Sequence, residues 1–67
     1  MRADRVEVSW DAAKSEWRVG IESGEEVIHR HCRAPKDADE PTLRSMAAQT
    51  VQDEGYEPDP AQIHIRR

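Results

Sequence analysis

The stretches Val6-Glu7-Val8-Ser9-Trp10 and Trp17-Arg18-Val19-Gly20-Ile21 decide the fold of this chain. In each stretch apolar and polar residues alternate with a period of two, which is the pattern of a half-buried β-strand. Folding one stretch back on the other predicts a hairpin with three apolar pairs: Trp10 with Trp17, Val8 with Val19, and Val6 with Ile21. Because directly opposed residues share a face of a sheet, these six side chains should form its buried side.

The strands themselves are expected at about residues 4–10 and 16–22, with a third strand at about 25–33. Ser23-Gly24 is the turn signal before that third strand, and Pro35 ends it because proline supplies no donor to a ladder. The facing of the third strand stays open at this point. A turn of two or four residues would direct Ile28, Arg30 and Cys32 inward. A three-residue turn with a bulge at Gly24 would direct Val27, His29 and His31 inward instead.

A single helix is expected to begin near Asp39 or Glu40, with Pro41 in its first turn. Gly55 is the expected terminator, and Ile63-His64-Ile65 alternates again as a short final strand. The helix should bury one stripe of residues spaced three and four apart: Leu43, Met46, Ala47, Thr50 and Val51.

The predicted order is β-β-β-α-β, an α+β fold in which one helix covers one face of a four-stranded, mostly antiparallel sheet. Placing strand four beside strand one, and parallel to it, gives the sheet order 3-2-1-4. Residues 1–67 are expected to form a single small domain. This order resembles the small β-β-β-α-β module of HicB-like antitoxins in topology. The Pro-Asp-Leu-Pro-Gly-Cys-type loop of that family is not reproduced by Glu22-Ser23-Gly24-Glu25 or by His31-Cys32-Arg33, so the resemblance implies a fold and no function.

Composition bounds the class of protein. The chain has 67 residues, a formal net charge of -4 and only 10 residues of Leu, Ile, Val or Phe, but these are placed periodically, which favours a folded chain over a disordered one. A core this thin is often supplemented by oligomerisation. No apolar run approaches the roughly 20 residues of a membrane span, and the single Cys32 predicts a reducing compartment. A cytoplasmic protein with no membrane partner is therefore expected.

The residues with metal-ligand or nucleophilic chemistry are few. His29 and His31 lie two apart in a strand and should present two imidazoles on one face, but a closed zinc site needs about four ligands. They are weak metal candidates, with a metal-responsive regulator as the corresponding hypothesis. Cys32 has no base expected within reach, so no catalytic residue, no cofactor and no enzymatic activity are predicted. Trp10 and Trp17 are expected in the core rather than as stacking platforms for nucleic acid.

The uncovered face of the sheet is the remaining candidate site. It should display a polar set of both signs: Arg5, Glu7, Ser9, Glu16, Arg18, Gly20, Glu22, His64 and Arg66. The candidate partner-binding residues are Arg5, Arg18, Arg30, Arg33, His64 and Arg66. The expected function is a small non-catalytic protein-interaction module that forms a homodimer or docks on a partner protein. The alternative is an RNA-binding module whose arginines, with Arg67 added, contact phosphates, although the acidic net charge disfavours nucleic acid.

Overall fold

Four strands and one helix follow one another in the predicted order in a computed structural model, which describes residues 3–66. The α+β class and the sheet order β3-β2-β1-β4 are confirmed, with β4 parallel to β1 and the other pairs antiparallel. The elements are β1 (Arg5–Asp11), β2 (Glu16–Ser23), β3 (Glu26–Cys32), α1 (Glu40–Asp53), a short 3₁₀ turn (Pro60–Gln62) and β4 (Ile63–Arg66).

The hairpin of β1 and β2 has the register that the alternation predicts. Val6 pairs with Ile21, Val8 with Val19, and Trp10 with Trp17. The valines, Ile21 and Trp17 are buried, whereas Trp10 is half-buried at the end of the hairpin and meets Trp17 edge to face, with ring centroids 5.3 Å apart. The indole Nε1–H of Trp17 donates to the carbonyl of Pro35 at 2.9 Å, which satisfies a polar group that burial would otherwise leave unpaired.

A two-residue turn between β2 and β3 settles the facing of β3. Ser23 pairs with Glu26, and Gly24 between them takes a positive φ of 61°, the conformation that glycine adopts at no steric cost. The Asp4 carboxylate accepts a 2.7 Å hydrogen bond from the Gly24 N–H and braces the turn. The first alternative is therefore the observed one, and Ile28, Arg30 and Cys32 lie on the side of the sheet that bears the helix.

The helix has the start and the end that its sequence indicates. Asp39 is the N-cap, and its carboxylate accepts from the backbone N–H of Thr42 at 3.1 Å. At the other end Gly55 has a φ of 88°, and the Tyr56 N–H reaches the carbonyl of Val51, as in a Schellman ending. The buried stripe of the helix consists of Leu43, Ala47 and Val51, with Met46 and Thr50 half-buried at its margin.

The helix packs across β1, β2 and β4, so the hydrophobic core lies between it and this part of the sheet. Arg44 links α1 to the start of β4, because its guanidinium donates to the carbonyls of Pro60 and Ile63 at 3.2 and 3.1 Å. Strand β3 lies at one edge of the sheet, where Ile28 and Cys32 pack at the margin of the core. Within residues 3–66 no helix combines the length and the apolar character that crossing a membrane requires.

Candidate protein-interaction surface

The face of the sheet opposite α1 is called the open face below. The strand registers place thirteen residues on it: Arg5, Glu7, Ser9 and Asp11 of β1, Glu16, Arg18, Gly20 and Glu22 of β2, Val27, His29 and His31 of β3, and His64 and Arg66 of β4. The open face thus contains every residue that the sequence assigned to the uncovered side, together with the outward-facing set of β3 that the sequence left undecided.

Most cations of the open face already have a carboxylate beside them. Arg5 lies 3.2 Å from Glu7 and 4.0 Å from Glu22, and Arg66 lies 3.9 Å from Glu7. Arg18 is exposed and makes no ion pair with any residue of the described chain. These surface pairs contribute little stability, but they leave the open face with locally balanced charge rather than with a continuous basic surface.

Asp11 and His31 form a contact that joins the end of β1 to β3 across β2. The imidazole Nε2 of His31 lies 3.2 Å from a carboxylate oxygen of Asp11, whose other oxygen accepts from the N–H of Ala13. Desolvation raises the pKa of Asp11, but the hydrogen bonds from His31 and from the backbone N–H groups of Lys14 and Ala13 outweigh it, so the pKa lies below its usual value. The contact therefore favours a charged Asp11.

A shallow hollow of about 150 Å³ lies at the middle of the open face. It exists because Gly20 has no side chain: a Cβ built there would lie 3.4 Å from Cδ2 of His29 and 3.8 Å from the carbonyl oxygen of Glu7. Val27 and Arg18 border the same hollow. Its small volume and shallow form suit contact with a partner's surface rather than enclosure of a small molecule.

The outer side of β3, residues Glu26–Cys32, is called the β3 edge. Val27 is 55% exposed there and is the one large hydrophobic residue of the described chain that is exposed. The pairing with β2 runs without a bulge from Ser23–Glu26 to Trp17–Cys32. Since a β-turn is closed by a bond between its first and fourth residues, and antiparallel pairs then alternate, the backbone groups of Val27, His29 and His31 point away from β2. The β3 edge therefore offers a row of outward-facing donors and acceptors, of which the carbonyl of His29 also accepts a 3.0 Å hydrogen bond from Nη1 of Arg30.

Arg30 lies on the helix side of β3, away from the other candidate arginines. Its guanidinium makes two hydrogen bonds to the carboxylate of Glu54, at 2.8 and 3.2 Å. Nearby, Sγ of Cys32 lies 3.3 Å from the hydroxyl of Thr50, which itself donates to the carbonyl of Met46. Cys32 is thus a half-buried thiol held against the helix, and no base lies among its described contacts.

The structure places the six candidate partner-binding residues in three locations. Arg5, Arg18, His64 and Arg66 share the open face, whereas Arg30 lies on the helix side. Arg33, beyond the end of β3, borders a groove of about 500 Å³ together with Lys14 and Glu16. Arg67 lies outside the described residues.

The weak metal candidates, His29 and His31, do share the open face. Residues 3–66 contain no group of three or more His, Cys, Asp or Glu side chains placed to hold a metal ion.

A second groove, of about 410 Å³, lies at the end of the β1–β2 hairpin. The exposed part of Trp10 forms its apolar wall, and the cations of Lys36 and Arg66 border it. Ser9 and the edge of Trp17 complete the lining. An apolar ring beside two cations is the combination that a stacked base and its phosphate would contact.

Comparison of the chain with protein-family models, with curated proteins and with solved structures found no match. The resemblance to HicB-like antitoxins therefore rests on the order of the elements alone. The surfaces that the described residues form are the basis for any functional conclusion.

Proposed function

We propose that this chain is a small non-catalytic protein-interaction module of the cytoplasm, and that it binds by adding a strand of its partner to the β3 edge. The observation that carries the proposal is the β3 edge itself: a seven-residue strand with outward-facing backbone groups and an exposed Val27. In strand addition the main-chain hydrogen bonds supply affinity and alternate side chains supply specificity.

The opposite edge of the sheet supports the choice of β3. Natural proteins protect sheet edges with short strands, proline, bulges or covering segments. β4 has only four residues, follows the 3₁₀ turn that begins at Pro60, and has its Ile63 carbonyl hydrogen bonded to Arg44. β3 is longer, contains no proline and pairs with β2 without a bulge. Its exposed backbone groups are therefore the more accessible of the two sets.

Substitution of His29 by proline tests this function. The N–H of His29 points outward, so proline removes a donor of the β3 edge and leaves the hydrogen bonds between β2 and β3 in place. His29→Ala is the matched control, because it also removes the imidazole but keeps the N–H. The assay captures proteins from the native cell extract on tagged chains and quantifies them by mass spectrometry, with untagged copies of the chain included.

We expect proteins retained by the wild type and by His29→Ala to be lost with His29→Pro, while circular dichroism shows that all three chains are folded. Two results would overturn the proposal. One is a compact wild-type monomer that retains no protein, and the other is retention that His29→Pro leaves unchanged.

Binding of single-stranded RNA is the second candidate function, and the groove beside Trp10 is the observation that favours it. Lys36 and Arg66 would contact phosphate while the ring of Trp10 stacks on a base. It ranks second because Arg5, Arg30 and Arg66 are each engaged by glutamates and the net charge is -4. Fluorescence anisotropy of a labelled oligouridine at low and physiological salt tests it. Affinity that falls steeply with salt, and that Trp10→Ala abolishes, would support RNA binding.

A further inference from the structure

We propose that the strand added to the β3 edge is β3 of a second copy of this chain, paired antiparallel about a twofold axis at Ile28. This inference rests on the function proposed above and names its partner. It would join the two sheets into one continuous sheet of eight strands, with each β3 at the centre.

The geometry of β3 allows few self-pairings. Only residues whose backbone groups point outward, Val27, His29 and His31, form hydrogen-bonded pairs with a new strand. Side chains must also stay on their own faces of the sheet, because a shift of one residue exchanges the two faces. A twofold axis must therefore pass beside a residue, and the residues near the middle of the strand are Ile28, His29 and Arg30.

Charge selects the register centred on Ile28. In that register Glu26 of each copy lies opposite Arg30 of the other, and Val27 pairs with His29. Centring on His29 would place Arg30 opposite Ile28 and Glu26 opposite Cys32. Centring on Arg30 would oppose two like charges. Opposite charges that face each other across strands stabilise a pair, whereas like charges destabilise it.

The contacts of each residue in the described chain are compatible with this register. Glu26 is exposed and has no ion pair within residues 3–66, so it is free to meet Arg30. Arg30 is half-exposed, with 50% of its side chain accessible, and three of its five donors are engaged, two by Glu54 and one by the carbonyl of His29. The remaining two N–H groups are available to Glu26 of the second copy. Ile28 is half-buried and would meet Ile28 of the second copy, which covers apolar surface on both.

The helices leave room for the second copy. α1 packs mainly over β1, β2 and β4, and it reaches β3 with the side chains of Thr50 and Glu54 near its C-terminal end. Adjacent strands lie about 4.8 Å apart, so several strands separate the two helices of the dimer. The pairing covers one strand edge and buries less than the roughly 800 Å² per partner of a standard interface. We therefore expect a weak dimer whose population depends on protein concentration.

Sedimentation equilibrium of the full chain, from about 10 µM to about 1 mM, tests the proposal. The wild type should change from monomer to dimer over this range. Glu26→Arg and Arg30→Glu should each weaken the dimer at least about tenfold, because each replaces two attractive pairs by two repulsive ones. An equimolar mixture of the two variants should recover the dimer. In the heterodimer, the chain with arginine at both position 26 and position 30 faces the chain with glutamate at both.

Two matched controls carry the same changes of charge elsewhere. Glu57→Arg lies on the connector after α1, and Lys14→Glu lies in the turn between β1 and β2, and both sites are exposed. Neither should alter the dimer more than about twofold. Circular dichroism and tryptophan fluorescence of each variant report folding.

Cross-linking provides a test that does not depend on charge. In the proposed register Ile28 faces its own copy in a pair without hydrogen bonds, with Cα atoms about 4.5 Å apart, a separation that a disulfide spans. Ile28→Cys in a Cys32→Ala background should form a covalent dimer on oxidation with diamide. His29→Cys in the same background should form much less, because His29 faces Val27.

The outcomes separate this inference from the function on which it rests. A wild type that stays monomeric throughout overturns self-pairing, while the extract experiment with His29→Pro still decides whether the edge binds another protein. The register is overturned by a different result. In that case His29→Pro abolishes the dimer, but the mixture of charge variants does not recover it and Ile28→Cys does not form the covalent dimer. A dimer that His29→Pro leaves intact also overturns self-pairing at the β3 edge, and retention from the extract that His29→Pro leaves unchanged overturns the proposed function.

Discussion

Substitution of Gly20 by alanine should stabilise this protein, although Gly20 lies in the middle of a central strand. Glycine inside a strand costs about 0.5–1 kcal/mol relative to alanine, because its unfolded chain has more conformational freedom to lose. The structure shows no penalty to offset that gain. The new Cβ would lie 3.4 Å from Cδ2 of His29, an ordinary contact, and the imidazole is on the surface where it can shift. The φ of Gly20 is not positive, so its backbone conformation is one that alanine also adopts.

The expected gain is about 0.5–1 kcal/mol, which corresponds to a rise in Tm of about 2–8 °C for a domain of this size. Thermal unfolding followed by circular dichroism at fixed protein concentration measures it. Gly24→Ala is the control with the opposite sign, because φ at Gly24 is 61° and alanine there should cost about 1 kcal/mol. A Tm of Gly20→Ala at or below that of the wild type would refute the reasoning, since it would mean that the backbone at Gly20 or the His29 ring cannot accept a methyl group.

Two further predictions concern the ends of the sheet. The pKa of Asp11 is lower in the folded chain than its usual value, so its contribution to stability is present above that value and is lost as pH falls through the lowered pKa. Between about pH 5 and about pH 2 the urea midpoint should therefore fall more for the wild type than for Asp11→Asn, and equal slopes would contradict this. Trp17→Phe should cost about 1–3 kcal/mol in urea unfolding, because Trp17 is 1% exposed and its N–H to the carbonyl of Pro35 is lost. Trp10→Phe should cost less since Trp10 is half-buried, and a reversed order would contradict the placement of the two rings.

The core and the topology were predictable because they depend on periodicity. The alternation around Val8 and Val19 determines the register of the first hairpin, and the spacing of Leu43, Ala47 and Val51 determines which side of the helix is buried. Such patterns hold because a shift of register would expose the whole apolar set at once. Caps and terminators were predictable for a similar reason, since they are local requirements of the backbone.

The facing of β3 was not predictable, because Ser23-Gly24 is compatible with turns of different length. The contacts that depend on the facing of β3 could therefore not be predicted either. Glu54 at the carboxyl end of a helix is unfavourable with respect to the helix dipole, and the guanidinium of Arg30, 2.8 Å from its carboxylate, offsets that cost. Asp11 and His31 are likewise brought together by the pairing of β1, β2 and β3 rather than by any spacing along the chain. The 3₁₀ turn had a usable signal in Asp59-Pro60, an N-cap followed by proline.

The charges of β3 bear on which partners its edge can accept. Charged side chains on an edge strand ordinarily discourage pairing with another chain. Glu26 and Arg30 lie two residues on either side of Ile28, and this symmetry changes their effect. A parallel copy in register would face Glu26 with Glu26 and Arg30 with Arg30, and antiparallel copies shifted by one step would lose both attractive pairs. The antiparallel register centred on Ile28 gains two attractive pairs, whereas the parallel and the shifted pairings lose them or oppose like charges. Specificity arises from such a difference between affinities. In the proposed pairing, this pattern of charges therefore favours a single register over open-ended aggregation.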